Sequence, residues 1–172
     1  MFFKQLRSLT LQKNITLILK SRVKNFKSSK VKTIGVIFDY EAYHDYDFFR
    51  ALVNDFGLGY NNIQFISMIG MEKDKPNSWD AFFSMESFDW LGRPKSAEID
   101  EFTHKPFDVL ISYYKSNKLE LNLITAQSKA NFKIGLSNDD PRLHDFTLDI
   151  EPKDTDIFKT ELTKYLTQLN RL

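Results

Sequence analysis

The sequence contains no cysteine. That absence removes disulfides, thiolate nucleophiles, zinc fingers and iron–sulfur clusters together. Glycine is scarce, at six residues in 172, and no phosphate cradle assembles from those six. Gly57-Leu58-Gly59 is a lone GxG lying between a helical and a strand-like segment, the reverse of the dinucleotide fingerprint. No P-loop, nucleophile elbow or HExxH occurs, so no motif asks for a cofactor. Long apolar runs are also missing. Ile15-Thr16-Leu17-Ile18-Leu19 is too short for a secretory signal core of about 7–15 residues, and for a bilayer span of about 20. The expected compartment is the cytoplasm, with attachment at the membrane periphery as an alternative.

Acidic residues are lacking only locally. Met1 to Lys32 holds nine basic residues and no Asp or Glu, leaving 15 basic against 23 acidic side chains in the other 140 residues. A formal net charge of +1 therefore hides a leader of +9 and a body of −8. Charge asymmetry between segments points to nucleic acid, a membrane surface, or an arm that folds back on its own acidic body. Organellar presequences favour arginine, whereas this leader has seven lysines and two arginines.

The leader carries a helical pattern over about residues 2–28. Ile15, Leu19, Val23 and Phe26 fall within about 80° of arc at 100° per residue, and Lys13, Lys20, Lys24 and Lys27 occupy a neighbouring sector. Phe2, Leu6 and Leu9 form a shorter stripe upstream. Lys4, Arg7, Lys13, Lys20, Arg22, Lys24 and Lys27 are the candidate contacts to RNA or another anionic surface. The ordinary alternative packs the apolar stripe on the body and leaves the lysines in water.

After Lys32 the pattern becomes that of an α/β domain. Thr33 to Phe38, Ile63 to Ile69, Phe107 to Tyr113 and Phe132 to Leu136 are apolar runs expected to form buried strands. Tyr43 to Phe56, Leu119 to Ala130 and a segment capped by Asp154 are expected helices, with Gly57 stopping the first. Phe146, Leu148 and Ile150 alternate with polar residues, as on an edge strand. Ala81 to Met85 and Phe88 to Leu91 suggest a short aromatic hairpin, or a strand entering a turn at Gly92. The expected organisation is a basic helical arm over 1–30 and one α/β domain over 31–172. The expected fold is an open, mostly parallel sheet of four to six strands with flanking helices, Rossmann-like in the loose sense.

Such sheets bind ligands beyond the carboxyl ends of their strands. That rule selects Asp39, Glu41, Ser112, Tyr114 and Asp139 as candidate pocket residues, Asp39 foremost because it directly follows the strongest strand. No nucleophile accompanies His104 or the His144-Asp145 pair, and His44 with Asp45 and Asp47 reads as a solvated loop. A non-catalytic module is expected, with its arm on RNA or a ribonucleoprotein. The alternatives are an anionic membrane surface for the same arm, or a small molecule held by strand-end carboxylates.

Several segments read together extend this picture: Phe88-Asp89-Trp90-Leu91-Gly92-Arg93, Phe107 to Tyr114, Ser128 to Gly135, and Glu161 to Leu166. As a set they resemble a family of uncharacterised bacterial proteins classed as a domain of unknown function. The resemblance implies a small standalone α/β protein and brings no activity with it. Phe107 to Leu136, ending in Ile134-Gly135, also resembles one strand–helix–strand unit of heptosyltransferase acceptor domains. This chain has no room for the second nucleotide-sugar domain such an enzyme needs.

Overall fold

The computed structural model describes residues 2–23, 29–136 and 140–172, with side chains from Gln5 onward. Helix α1 covers Phe2–Ser21. Six strands follow, β1 Ile34–Asp39, β2 Ile63–Met68, β3 Ala81–Phe83, β4 Val109–Tyr113, β5 Lys133–Leu136 and β6 Phe146–Leu148. The remaining helices are α2 Tyr46–Asp55, α3 Ala97–His104, α4 Leu119–Gln127 and α5 Thr155–Gln168. The strands form one sheet in the order β3-β2-β1-β4-β5-β6, and every pairing is parallel. This is the doubly wound Rossmann order, in which the direction of winding reverses between β1 and β4.

That reversal assigns the helices to faces. Crossovers between parallel strands are right-handed, so α2, leading outward from β1 to β2, and α4, leading the other way from β4 to β5, belong on opposite faces. Burial agrees. Val36, Phe38, Ile111 and Tyr113 pack with Phe49, Leu52 and Val53 of α2 and with Phe158, Leu162 and Leu166 of α5. Their neighbours Ile37, Ile66 and Leu110 face the other way, onto α3, α4 and α1. Alternation along strands buried on both faces produces the continuous apolar runs of the sequence.

The element ends have local causes. Asp45 accepts the backbone N–H of Phe48 at 2.9 Å, which starts α2 three residues later than the apolar pattern alone suggests. After α2, Gly57 adopts φ 74°, and Gly57 and Leu58 donate to the carbonyls of Asn54 and Val53. This Schellman pair needs the left-handed conformation that glycine enters at no steric cost. Asp154 stands at the N-cap of α5, yet its side chain accepts no capping bond. The aromatic segment is not a hairpin. Ala81 to Phe83 pairs with β2 in parallel, and the chain then turns through Ser84–Ser87 to a single antiparallel bridge between Phe88 and Pro94.

Helix α1 lies across α4. Leu11, Ile15 and Leu19 are buried against it, and Asn14 donates to the Leu91 carbonyl at 2.5 Å. Residues 120–126 of α4 are all buried, because the sheet covers one side of this helix and α1 the other. Gly92, at φ 77°, wedges between them, where a Cβ would come within 2.7 Å of Leu11 and 3.1 Å of Leu123. The helix ends at Ser21, so Val23 lies past it and is exposed, and Phe26 falls outside the described residues. Leu11→Ala is expected to cost about 2–4 kcal/mol in urea unfolding, and Leu9→Ala on the exposed side less than about 0.5 kcal/mol. Equal effects would show that α1 does not pack in this way in solution.

Candidate functional site

Three places carry polar groups where the fold gives them consequences: the crevice between β1 and β4, the layer beneath α1, and the outer face of α1. In the crevice, the buried carboxylate of Asp39 accepts Ser116 Oγ at 2.7 Å and Lys118 Nζ at 2.9 Å. Lys118 also reaches Glu41 at 3.5 Å. The two strand-end acids expected to meet a ligand thus meet a lysine and a serine from the loop after β4. Ser112 and Tyr114 turn onto α4 instead. The Tyr114 hydroxyl lies 2.7 Å from Thr125 Oγ1 and donates to Asn122 Oδ1 at 3.2 Å, while Ser112 Oγ lies 3.1 Å from Thr125 Oγ1. Burial pushes the Tyr114 phenol well above its usual range. Asp139 lies outside the described residues. The sequence-selected pocket set therefore divides, with Asp39 and Glu41 in one ion-pair cluster and Ser112 and Tyr114 in a separate buried network.

Beneath α1 lies a cluster that sequence reasoning missed. Lys133 opens β5 on the face toward α4 and is buried, its Nζ donating to the last α4 carbonyls, Thr125 at 2.5 Å and Ala126 at 3.2 Å. Those carbonyls have no partner within the helix, so the ammonium group caps it and meets the negative end of its dipole. Desolvation first, then the nearby Arg22 charge, lowers the Lys133 pKa to about 7, with Asp145 opposing and Lys129 adding to the effect. Asp145 accepts Arg22 Nη2 at 2.6 Å and the Lys133 backbone N–H at 2.9 Å. Arg22 Nη1 donates to the Arg142 carbonyl at 3.3 Å.

His144 sits against Gly135, where a Cβ would lie only 2.3–2.5 Å from the ring, so only glycine admits it. It is 3% exposed, neither ring nitrogen has a protein partner among the described residues, and burial lowers its pKa to about 4. A run of apolar residues around Lys133 gave its position a strand signal and hid the buried charge. His144 was visible as a histidine, but its burial depends on Gly135 from the neighbouring strand.

The candidate arm residues also separate. Arg22 is engaged by Asp145, and Arg7 donates through Nη2 to the Met85 carbonyl at 2.5 Å. Lys13 and Lys20 are exposed and form no ion pair among the described residues. The side chains of Lys4, Lys24 and Lys27 lie outside the described residues. Leu6, Leu9 and Leu17 are 49%, 65% and 54% exposed and share the outer face with those lysines. At 100° per residue Leu6, Leu9, Lys13, Leu17 and Lys20 fall within about 80° of arc. The helix thus has an apolar face on each side, one toward α4 and one toward solvent. In the aromatic segments 81–85 and 88–91, Phe82, Phe83 and Phe88 are buried in the core, whereas Trp90 is exposed. His104 faces Asp100 at 3.3 Å, and the His44 ring stacks on Tyr40 at 3.9 Å between centroids.

The buried basic side chains make stability depend on pH in a fixed direction. Unfolding lets His144 take up a proton between about pH 4 and 6.5, and Lys133 between about pH 7 and 10.5. In both windows the unfolded state binds more protons, so stability rises with pH, on the order of a few kcal/mol for each group. Above about pH 10 the buried tyrosines reverse the trend, because their raised pKa values favour the unfolded chain once it can ionise. Urea unfolding between pH 7 and 10 is expected to show the rise in the wild type and to lose it in Lys133→Met. A flat wild-type profile would contradict the burial of this ammonium group.

No curated protein and no solved structure matches the chain. Residues 7–169, a span that takes in α1 from Arg7 onward together with the whole sheet, match the family of unknown function DUF6913, and the chain belongs to that family.

Proposed function

We propose that the protein is a non-catalytic module that attaches reversibly to anionic lipid surfaces through the outer face of α1. The observation supporting this reading is the interleaving of Leu6, Leu9 and Leu17 with Lys13 and Lys20, which form no ion pair among the described residues, on a face that no described residue covers. Lipid interfaces take both residue types at once, the leucines at the acyl boundary and the lysines among the headgroups. Each half-exposed leucine contributes about 1 kcal/mol on insertion, and each lysine near an anionic surface about 1 kcal/mol. The total of about 5 kcal/mol corresponds to weak, readily reversed attachment. No helix among the described residues is long and apolar enough to cross a membrane.

RNA, which the charge of the leader favours when taken alone, suits this face less well. Phosphate contacts draw on cationic and hydrogen-bonding groups, and the three exposed leucines offer neither. The two arginines of α1 and its end, the better phosphate ligands, are turned to the body. Of the strand-end carboxylates, Asp39 is likewise occupied by Ser116 and Lys118, and Glu41 by Lys118.

The test is flotation of the full chain with phosphatidylcholine vesicles, with and without phosphatidylglycerol. Binding is expected only to the anionic vesicles, and it should fall at least about tenfold in Leu9→Ser/Leu17→Ser and in Lys13→Glu/Lys20→Glu. RNA retention that depends on salt but is indifferent to the leucine changes would overturn the lipid reading in favour of nucleic acid. Self-association lost in the leucine variant, with no vesicle binding, would assign the face to a second copy.

A further inference from the structure

A cavity of about 560 Å³ opens at the amino end of the sheet, between the end of α1, α3 and the end of α4. This is the opposite end from the β1–β4 crevice, and the cavity does not involve the leucine face of α1. Its wall includes Arg22, Lys129 and Lys133, with Ser21, Ser128 and Asn131 among them. The carboxylate in the lining, Asp100, is partnered by His104 at 3.3 Å. We propose that this cavity binds a phosphate monoester, with Lys129 at its mouth and the charges of Lys133 and Arg22 in its wall.

The charges in the wall are poorly balanced without a ligand. Arg22 comes from the end of α1, Lys129 follows α4, and Lys133 opens β5. Arg22 and Lys129 each make it harder for Lys133 to hold its proton, and Asp145 opposes them. His144, on the same side of β5, is held neutral by burial near Lys133 and Arg22, and so adds no charge of its own. Among the described residues two carboxylates, Asp145 paired with Arg22 and Asp100 beside His104, thus face three basic side chains, leaving one positive charge unbalanced when Lys133 is protonated. A dianion placed among them removes the repulsion, and hydroxyl and amide groups supply the neutral donors that phosphate oxygens accept. The volume lies within the usual range for small-molecule sites, about 300–1,000 Å³, and exceeds what a bare ion needs.

Proton linkage separates this role from a structural one. At about pH 8 Lys133 is mostly neutral, and a bound phosphate that restores its charge must draw in close to one proton. The experiment is calorimetric titration of the full chain with glycerol 3-phosphate and with inorganic phosphate, at about pH 8, in buffers of different ionisation enthalpy. Saturable binding with proton uptake is expected. Lys129→Glu should weaken it at least tenfold without lowering the unfolding midpoint, and Lys133→Met should abolish the proton uptake. Vesicles carrying phosphatidic acid form a second arm. Retention that Lys129→Glu reduces, in the absence of binding by the soluble probes, identifies the monoester as a lipid headgroup. The proposal fails if neither source binds saturably, or if Lys129→Glu binds both as the wild type does. It also fails if binding proceeds without proton uptake.

Discussion

The contact between α1 and α4 is the constraint on which the rest of the molecule depends. In an ordinary doubly wound sheet, the helix after the fourth strand buries one stripe and presents a polar face to water. Here residues 120–126 of α4 are buried all round, so the helix has no face suited to solvent. Leu11, Ile15 and Leu19 of α1 supply the missing cover. The segment set apart by its charge is thus, in its inner half, part of the core. Its arginines hold its two ends, Arg7 on the Met85 carbonyl and Arg22 on Asp145, which leaves the lysines to define the outside.

Covering α4 also creates the low-dielectric space in which the buried cations sit. Lys133 completes the carbonyl end of α4, and Asp145 joins the end of α1 to the start of β5. These groups are individually expensive to bury, and the tolerance for them comes from mutual hydrogen bonding in one connected patch. The sheet thereby acquires two chemically different ends. At the carboxyl end Asp39 and Glu41 are paired with Lys118, and Asp39 also accepts a serine hydroxyl. At the amino end, cations line a cavity.

Much of the fold is legible in the sequence because burial on both faces makes strands into unbroken apolar runs. Ile34–Asp39 and Ile63–Met68 stand almost where their hydrophobicity places them, and Gly57 ends α2 as its chemistry requires. Helix α3 was missed although Ser96, Ile99 and Phe102 carry its cap and its buried spacing, since a single turn of pattern is hard to tell from a loop. Leu11 was missed because its place depends on Gly92 and Leu123, far away in sequence. The candidate site was less legible for the same reason. Tyr114 follows a strand end, as a pocket residue should, but its direction is set by Thr125 and Asn122 on a helix whose own position depends on α1.

The order of the elements along the chain has a consequence for biosynthesis. Leu11 and Leu123 flank the same glycine although 112 positions separate them. At roughly 5–20 residues per second, translation leaves the first helix waiting on the order of 5–20 s for the second to be made. During that interval both of its leucine-bearing sides lack cover, and the uninterrupted positive charge of the leader keeps nascent copies apart. The composition that distinguishes this segment therefore also guards it before its partner exists.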